Sequence, residues 1–484
     1  MSKSRLIFLL VLIISVFIRP AIGEEKPNVL MIIVDDLNDW VGPLAGHPQV
    51  KTPNFDRLAA RGLTFTNAYT AAPTCHASRL ALMSGLRPST TGIYTNGPDW
   101  RPIEYFKSVK MLPALFRGNG YRTAGAGKIF HAHSYSDSAL AGFNDPDSWD
   151  EFYPSINQQM PDDLYPVQRP KNGNPGGAAF IGFDWYGLTA EDHAMSDGQV
   201  TDWAIKELTR QHETPIFTAV GIYRPHLPWY VPKKYFDMYP LDEVMIPEVP
   251  ADDLNDVPKV AHTAAMQSRK IHGWVVTEDK WQDAVRAYLA SISFADAMIG
   301  RVLDALDRSG HAEDTIVILM SDHGWNLGHK LRWRKMELWR QATHVPLIIA
   351  APGITSPGTR TDAAVSLLDL YPTLVDLAGL PSPPQKIEGH SLLPLLKKPD
   401  SDWNHVAVTT WRFMNHAVQE GNYRYIRYKE GEEELYDHNT DPNEWHNLAS
   451  DENYRQIIKR LASKLPRVNE PDRSPPPPSS RDNE

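Results

Sequence analysis

Side chains that could bind an ion follow four short strand-like segments, each at the point where the segment ends. They are Asp35 and Asp36, Lys128 and His131, His226, and Asp322 and His323. Each alone has an ordinary explanation, because an aspartate after a strand is often a helix cap and a lysine is usually solvated. In an open parallel sheet, however, ligands bind at the carboxyl ends of the strands. The recurrence at four segment ends therefore predicts one site.

Three of these side chains are carboxylates, which repel one another strongly unless a cation lies among them. Oxygen ligands of this kind favour Ca²⁺, or Mg²⁺ in a tight cavity. His323 is an unusual ligand for a hard cation, so another divalent metal stays possible. Set against the metal are groups that carry positive charge or protons: Arg79, Lys128, His131, His226 and Lys335. A divalent metal facing fixed cations suits a tetrahedral oxyanion, such as that of a sulfate or phosphate ester.

Cys75 is the only cysteine in 484 residues and lies where a loop-like stretch gives way to an apolar, helix-like run. A single cysteine cannot form a disulfide within the chain. Three interpretations remain open at this point: an inert buried thiol, a reactive thiol, or a residue that is modified after translation.

The segments that must position these residues alternate between strand-like and helix-like patterns. Apolar runs predict strands at 28–34, 215–222, 315–320 and 345–351, and helical spacing predicts helices at 52–62, 196–211 and 281–310. This alternation predicts an α/β fold with a large, mostly parallel or mixed central sheet flanked by helices. We assign residues 24–399 to this catalytic domain and residues 400–466 to a smaller C-terminal α+β subdomain.

The two ends of the chain differ from the rest in composition. Residues 1–23 are predicted to be a signal peptide, because their apolar run is shorter than the roughly 20 residues of a membrane span; a retained membrane anchor is the alternative. We therefore expect an exported protein that is periplasmic, lysosomal or extracellular, with no later membrane span. The proline-rich residues 467–484 are predicted to be disordered. A net charge of −10 without a basic block argues against nucleic-acid partners.

The segment around Cys75 resembles the signature of the type I sulfatases, whose fold is that of the alkaline phosphatase superfamily. This resemblance rests on "CHASR" followed by "LALMSGLRPSTTG". Across residues 26–450, similar blocks are "PNVLMIIVDDLND", "GKIFH", "YRPHLPW", "SDHGWNLG", "EGHSLLPLL" and "ELYDHNTDPNEWHNL". His323, where most members have asparagine, and "LGHKLRWRKMELWRQATHVPL" resemble the iduronate-2-sulfatase subgroup most strongly.

The resemblance implies specific roles for the residues of the expected site. A maturation enzyme would oxidise Cys75 to formylglycine, and the modified residue would hold one Ca²⁺ together with Asp35, Asp36, Asp322 and His323. Lys128 and Lys335 would bind sulfate oxygens, Arg79 would steady the formylglycine, and His131 and His226 would transfer protons or contact the sulfate. Lys330 and Arg334 are rivals of Lys335 for its role. Ala77 stands where many members have proline, which leaves open which enzyme matures the protein.

The expected function is hydrolysis of the sulfate ester of a sulfated saccharide, in an iduronate-2-sulfatase-like reaction. Two alternatives stay open: a phosphodiesterase or phosphonate ester hydrolase of the same superfamily, and a non-catalytic glycan-binding protein with an unmodified Cys75. Five aromatic residues either stack on sugar rings or pack in the core: Trp229, Tyr230, Trp333, Trp339 and Trp411.

Overall fold

The computed structural model of the chain describes residues 26–131, 144–153, 164, 166–266 and 269–473. The predicted signal peptide lies outside these ranges, as does the proline-rich tail beyond residue 473. The export of the protein therefore stays a prediction. None of the helices in the described ranges combines the length and the apolar character needed to cross a bilayer.

Eighteen strands and thirteen helices are described. The strands are β1 (Asn28–Val34), β2 (Leu63–Phe65), β3 (Ala68–Tyr69), β4 (Arg122–Gly127), β5 (Glu151–Tyr153), β6 (Trp185–Leu188), β7 (Ile216–Ile222), β8 (Trp229–Pro232), β9 (Thr315–Ser321), β10 (Asn326–Leu327), β11 (Trp333–Arg334), β12 (Leu347–Ala350), β13 (Thr359–Thr361), β14 (Val365–Ser366), β15 (Ala407–Thr410), β16 (His416–Glu420), β17 (Tyr423–Arg427) and β18 (Glu433–Asp437). The helices are α1 (Pro53–Ala59), α2 (Cys75–Ser84), α3 (Pro88–Thr91), α4 (Leu112–Gly118), α5 (Ser196–Thr209), α6 (Lys233–Phe236), α7 (Lys259–Met266), α8 (Arg269–Thr277), α9 (Trp281–Ser309), α10 (Arg340–Thr343), α11 (Leu370–Leu377), α12 (Leu393–Lys397) and α13 (Arg455–Ala462).

The main sheet contains eight of these strands in the order β13-β2-β12-β9-β1-β7-β4-β5. The five strands from β9 to β5 run parallel to one another. Strand β12 is antiparallel to both of its neighbours, and β13 is parallel to β2. The ends of β4, β7, β1 and β9 therefore meet at one edge, as the sequence predicts.

Both faces of the main sheet are buried, because successive side chains of a strand point to opposite sides. Leu30, Ile32 and Val34 of β1 pack in one apolar cluster that includes residues of α5 and α9. Val29 and Ile33 of the same strand pack in a second cluster, with residues of α2, α4 and α11. The main sheet thus lies between two helical layers, which is why β1, β7 and β9 are largely apolar.

A second, antiparallel sheet of four strands has the order β15-β16-β17-β18. One face packs against α13 through Val418, Leu435 and Leu461, and the other packs against Leu338 and Trp339. The fold class predicted from the sequence, a large mixed sheet with helices and a smaller C-terminal α+β region, is confirmed.

One expected strand is confirmed despite its composition, and one expected boundary differs from the structure. Strand β4, with the sequence "RTAGAG", lies inside the main sheet although its small residues give no apolar run. Residues 467–473 of the predicted tail make hydrogen bonds with the body of the protein: the Glu470 N–H donates to the Ser89 carbonyl at 2.7 Å, and the Arg473 N–H to the Gly92 carbonyl at 2.9 Å. The boundary of the tail therefore lies beyond residue 467.

Candidate active site

The backbone hydrogen bonds of the main sheet continue one residue past three strand ends and fix the residues that follow. The Asp35 N–H donates to the Ile222 carbonyl at 3.0 Å, and the Asp322 N–H donates to the Val34 carbonyl at 3.1 Å. The Lys128 N–H donates to the Gly221 carbonyl at 3.2 Å. Because these residues continue neighbouring parallel strands, their side chains leave the sheet at the same edge. The prediction that they lie together rested on this geometry.

Helix α2 brings Cys75 to that edge, since Cys75 is its first residue. The buried Cys75 Sγ lies 3.1 Å from Lys335 Nζ and 3.2 Å from His323 Nε2. One turn along the helix, Ser78 Oγ donates to the Asp322 carbonyl at 2.6 Å and joins α2 to the end of β9. The lone cysteine therefore lies among the residues that follow β1 and β9.

Two overlapping groups of side chains could hold a metal ion. One consists of Asp35, Cys75, Asp322 and His323, and the other of Asp35, Asp36, Cys75 and His226; in each, the potential ligand atoms lie within 4.8 Å of one another. The oxygen Asp36 Oδ2 is buried and has no hydrogen-bond partner among the described residues. A buried carboxylate oxygen without a donor is costly unless a cation pairs with it. Each group, which combines two carboxylates with one histidine and Cys75, therefore fits a divalent cation.

Three buried cations lie beside these carboxylates. Lys128 Nζ pairs with Asp35, and Lys335 Nζ pairs with Asp36. The guanidinium of Arg79 lies between two carboxylates, with Nε 2.8 Å from Asp322 Oδ2 and Nη2 3.3 Å from Asp35 Oδ1. The other hydrogen bonds of Arg79 go to the carbonyls of Lys128 and Ile129, and none within the described part of the chain goes to Cys75. Arg79 thus orients the carboxylates and the strand end that carries Lys128.

The protonation of the site follows from burial and from these charges. Burial raises the pKa of Asp36 to about 7, although Lys335 opposes the shift. Burial acts against the charged form of His323, but the carboxylate of Asp322 raises the pKa of His323 to about 9. Burial also disfavours a Cys75 thiolate, yet Lys128 and Lys335 hold the pKa of Cys75 well below its usual value. The site therefore favours negative charge at position 75.

Both histidines predicted for proton transfer are found at the site. His226 Nδ1 lies 2.6 Å from the Leu227 carbonyl, so Nδ1 carries a proton and donates it there. His226 Nε2 points toward the site, 3.7 Å from Asp36 Oδ2. Burial, with Lys128 and Lys335, holds the pKa of His226 well below its usual value. His131 is buried near His76, with ring centroids 6.0 Å apart, and burial lowers its pKa although its side chain is hydrogen-bonded to Cys75.

Lys330, Arg334 and Lys335 are alternatives for the sulfate-binding role in the sequence, and the structure places them in different surroundings. Lys335 Nζ lies against Asp36 and Cys75. Lys330 is buried elsewhere, with Nζ 2.6 Å from Asp253 Oδ1 and hydrogen-bonded to the Glu444 carbonyl. Arg334 donates to the carbonyl of Ile181 at 2.5 Å. Of the three, Lys335 is the residue beside the cysteine.

A cavity of about 270 Å³ opens beside Lys335. Its walls include His226, Leu227, Trp325, Arg334 and Met336. The five aromatic residues weighed as sugar-stacking candidates, Trp229, Tyr230, Trp333, Trp339 and Trp411, are all buried, with at most 5% of their surface exposed. They pack in the core, as the alternative interpretation holds.

Sequence reasoning missed several residues that position the site. Asp197, the second residue of α5, accepts the N–H groups of Tyr223 and Arg224 at 2.7 and 2.9 Å and so holds the loop that carries His226. The Lys128 ammonium lies 5.0 Å from the centre of the Tyr223 ring, and that of Lys335 lies 5.3 Å from the Trp325 ring. Trp325 and Ser78 could have been identified from the sequence, because they lie inside the motifs "SDHGWNLG" and "CHASR". Nothing in the sequence connects Asp197 with the site.

Comparisons with known proteins agree with this geometry. The family model described as "Sulfatase" matches residues 27–380, and the model "N-sulphoglucosamine sulphohydrolase, C-terminal" matches residues 328–471. A protein named "Sulfatase" from Formosa agariphila is 40% identical over 453 residues, which cover 92% of this chain and 87% of the relative. Iduronate 2-sulfatase from Homo sapiens is 32% identical over 402 residues, or 74% of this chain and 70% of the relative.

A solved structure with a similar fold is the phosphonate monoester hydrolase of Agrobacterium radiobacter. It has a TM-score of 0.74 and 22% identity, and the match covers 91% of this chain and 95% of that one. At this identity the likeness establishes the fold alone.

Proposed function

The chain belongs to the sulfatase family and is a sulfuric ester hydrolase, and on that premise we propose that it hydrolyses the sulfate ester of a sulfated uronate saccharide, with one Ca²⁺ and with Cys75 oxidised to formylglycine. The family resemblance drawn from the sequence is thereby confirmed. The identity of the sugar, the metal and the modification are the proposed parts.

One observation carries the proposal: the only cysteine of the chain lies beside buried carboxylates that could bind a cation and beside a buried lysine that could bind an anion. Cys75 Sγ is 3.1 Å from Lys335 Nζ and 3.2 Å from His323 Nε2, and it belongs to both groups of potential metal ligands. An inert buried thiol has no need of three buried carboxylates and two buried lysines around it, because such charges are costly to desolvate. This arrangement supports a residue that reacts.

The residues of the site divide into two sets by charge. Asp35, Asp36, Asp322 and His323, together with the modified Cys75, would hold Ca²⁺, which when bound neutralises the carboxylates and polarises the nucleophile. Formylglycine, in its hydrated form, would supply a hydroxyl nucleophile that can be regenerated. Lys128 and Lys335 would bind the sulfate oxygens and stabilise the charge that develops on them. Arg79 would hold Asp35 and Asp322 in place.

His226 is the candidate for proton transfer to the leaving alcohol. Its Nδ1 proton is held by the Leu227 carbonyl, so Nε2 is the atom at which a proton can be taken up or released. Nε2 is also the ring atom that faces Asp36 and the cavity. Proton transfer from a positioned group of this kind typically contributes about 10²–10⁴ in rate.

The proposed substrate class is supported by the similarity to iduronate 2-sulfatase. The chain carries histidine at position 323, within "SDHGWNLG", as that subgroup does. The cavity beside Lys335 is lined by both polar and apolar groups, as small-molecule pockets generally are. A phosphonate ester hydrolase remains the second candidate, because the buried Lys128 and Lys335 suit the oxygens of a phosphoryl group as well as those of a sulfate.

Two measurements test the proposal. Mass spectrometry of the peptide that spans Cys75, from the native host, should show the mass loss of the thiol-to-aldehyde conversion; an unmodified thiol throughout would contradict it. Sulfate release from a panel of sulfated saccharides should be highest for 2-O-sulfated uronates and should fall after chelation and return with Ca²⁺. Faster turnover of a phosphonate monoester than of a sulfate ester with the same leaving group would favour the second candidate. Binding of sulfated saccharides without sulfate release would favour a glycan-binding protein.

A further inference from the structure

Arg334 lies at the mouth of the site in an unusual environment for an arginine. It lines the same cavity as Lys335, His226 and Trp325. Its Nη2 donates to the carbonyls of Ile181 at 2.5 Å and Ala179 at 3.4 Å. Within the described ranges no carboxylate lies within 4.0 Å of it, and its Nε and Nη1 groups have no hydrogen-bond acceptor. A partly buried guanidinium therefore keeps three N–H donors for a group that enters the cavity.

The backbone around Arg334 is arranged so that two neighbouring cations face one cavity. Successive residues of an extended chain point to opposite sides, yet Arg334 and Lys335 both line this cavity. Arg334 has φ = 79° and Met336 has φ = 74°, both in the left-handed region. That conformation costs a residue with a side chain about 1 kcal/mol or more, and such strain concentrates at functional sites. A glycine at either position would remove the cost.

The two cations have different surroundings, which indicates different ligands. Lys335 Nζ is engaged with Asp36 and lies 3.1 Å from Cys75 Sγ, so it is next to the reacting group. Arg334 pairs with neither, and its hydrogen bonds go to the backbone carbonyls of Ala179 and Ile181. Its position is thus beside the sulfate site rather than in it.

We infer that Arg334 is a specificity-determining residue that binds the carboxylate of the sugar whose sulfate ester is hydrolysed. The inference rests on the proposed function and names the residue that selects a uronate over a neutral sugar. The planar fork of a guanidinium matches a carboxylate in two parallel hydrogen bonds, which a lysine cannot reproduce. The cavity volume of about 270 Å³ is slightly below the range of about 300–1,000 Å³ that is usual for ligand pockets, which suits a ligand as small as a single sugar ring.

The test compares a 2-O-sulfated uronate glycoside with its carboxyl methyl ester, using protein with verified Cys75 oxidation. The measured quantity is the ratio of kcat/KM for the free acid to kcat/KM for the methyl ester. Wild type should prefer the acid, and Arg334→Gln should lower the ratio by roughly 10- to 100-fold, because a charge-assisted bidentate contact is lost while an amide can still donate to the Ile181 carbonyl. Arg334→Lys should give an intermediate ratio. Arg360→Gln, at an exposed position of β13, should leave both constants unchanged.

Several outcomes would overturn the inference. They are a wild-type enzyme without preference for the acid, a ratio that survives in Arg334→Gln, and an equal loss on both substrates in that variant. If Arg334→Gln fails to fold, the same ratio of kcat/KM values is measured for Arg334→Lys, and a ratio equal to that of wild type would contradict the inference. Absence of sulfate release by wild type from every sulfate ester would instead contradict the proposed function, and this inference with it.

Discussion

Lys330 and Lys335 lie five residues apart, one before and one after β11, and they contact different parts of the protein. Lys330 is 2% exposed and pairs with Asp253, which is itself 3% exposed. Lys335 is also buried but lies against Asp36 and Cys75. Both lysines are paired with a carboxylate, so burial alone does not distinguish them. What each one faces decides whether its loss affects folding or catalysis.

Replacement of the two lysines should separate these effects. Lys335→Ala should lower kcat for a sulfate ester by about 10²–10³, because a cation next to the reacting group is lost. Lys330→Ala should lower the free energy of unfolding by about 3–5 kcal/mol, because Asp253 is left buried and unpaired. Steady-state kinetics and thermal unfolding of both variants, side by side, provide the measurement. Equal losses of kcat in the two variants would contradict the assignment of Lys335.

At the scale of elements, the site depends on how closely β4 approaches β7. Gly127 ends β4 with φ = 71°, and a Cβ at this position would lie 2.1 Å from the Gly221 carbonyl oxygen. The next residue is Lys128, whose N–H donates to that same carbonyl. A side chain at position 127 would therefore push apart the two strand ends that carry Lys128 and His226.

Gly127→Ala should consequently impair both stability and activity. We expect a loss of about 2–4 kcal/mol in the free energy of unfolding, from the left-handed backbone and the steric contact together, with a lower kcat because Lys128 is displaced. Gly118→Ala is the matched control, since a Cβ at the end of α4 meets no atom within 4 Å, and it should unfold and react like wild type. Wild-type kinetics in Gly127→Ala would show that the approach of β4 to β7 does not position Lys128.

The loop that carries Lys335 is also held by the C-terminal sheet. Glu444, which follows β18, accepts the N–H of Arg340 at 2.8 Å, and its Oε1 lies 3.0 Å from His438 Nε2 and 3.4 Å from Arg424 Nε. Arg424 Nε in turn donates to the Leu338 carbonyl at 3.0 Å. Glu444 and Arg424 are themselves buried, so the C-terminal sheet supports the loop that carries Lys335.

At the scale of the whole molecule, buried carboxyl groups make stability depend on pH. Asp369 accepts the N–H groups of Ser366 and His390, both at 2.8 Å, and burial raises its pKa to about 7 from the usual 3.8. Between these two values the folded state binds more protons than the unfolded state. Its contribution to the free energy of unfolding is therefore present below pH 4 and is lost as the pH rises to 7, by at most about 1.4 kcal/mol per pH unit.

Asp369→Asn should remove this dependence because an amide does not ionise. We expect the Tm of wild type minus the Tm of Asp369→Asn to decrease as the pH rises from 4.5 to 7.5, because only wild type loses stability over this range. Calorimetry of both proteins provides the measurement. Asp376→Asn, at an exposed position of α11, should show a Tm difference that stays constant over the same range. An Asp369→Asn difference that grows with pH would contradict the raised pKa.

The fold class could be predicted because its signals are local. The apolar runs of β1, β7 and β9 and the helical spacing of α5 and α9 record burial directly, since strands covered on both faces are usually apolar along most of their length. Strand β4 was found only through the polar residues after it, because its burial depends on small side chains and close packing. The boundary of the C-terminal tail depended on hydrogen bonds to distant residues, which no local pattern records.

By itself, the sequence determined which chemistry the chain carries: one cysteine in a "CHASR" segment, paired aspartates after one strand, and an aspartate and a histidine after another. Only the tertiary structure decided which cations face that chemistry. Lys330, Arg334 and Lys335 are all basic and lie within six residues of one another, and the left-handed residues 330, 331, 334 and 336 set their directions. The physical reason is that residue type fixes what a side chain can bind, whereas backbone conformation and long-range contacts fix where it points.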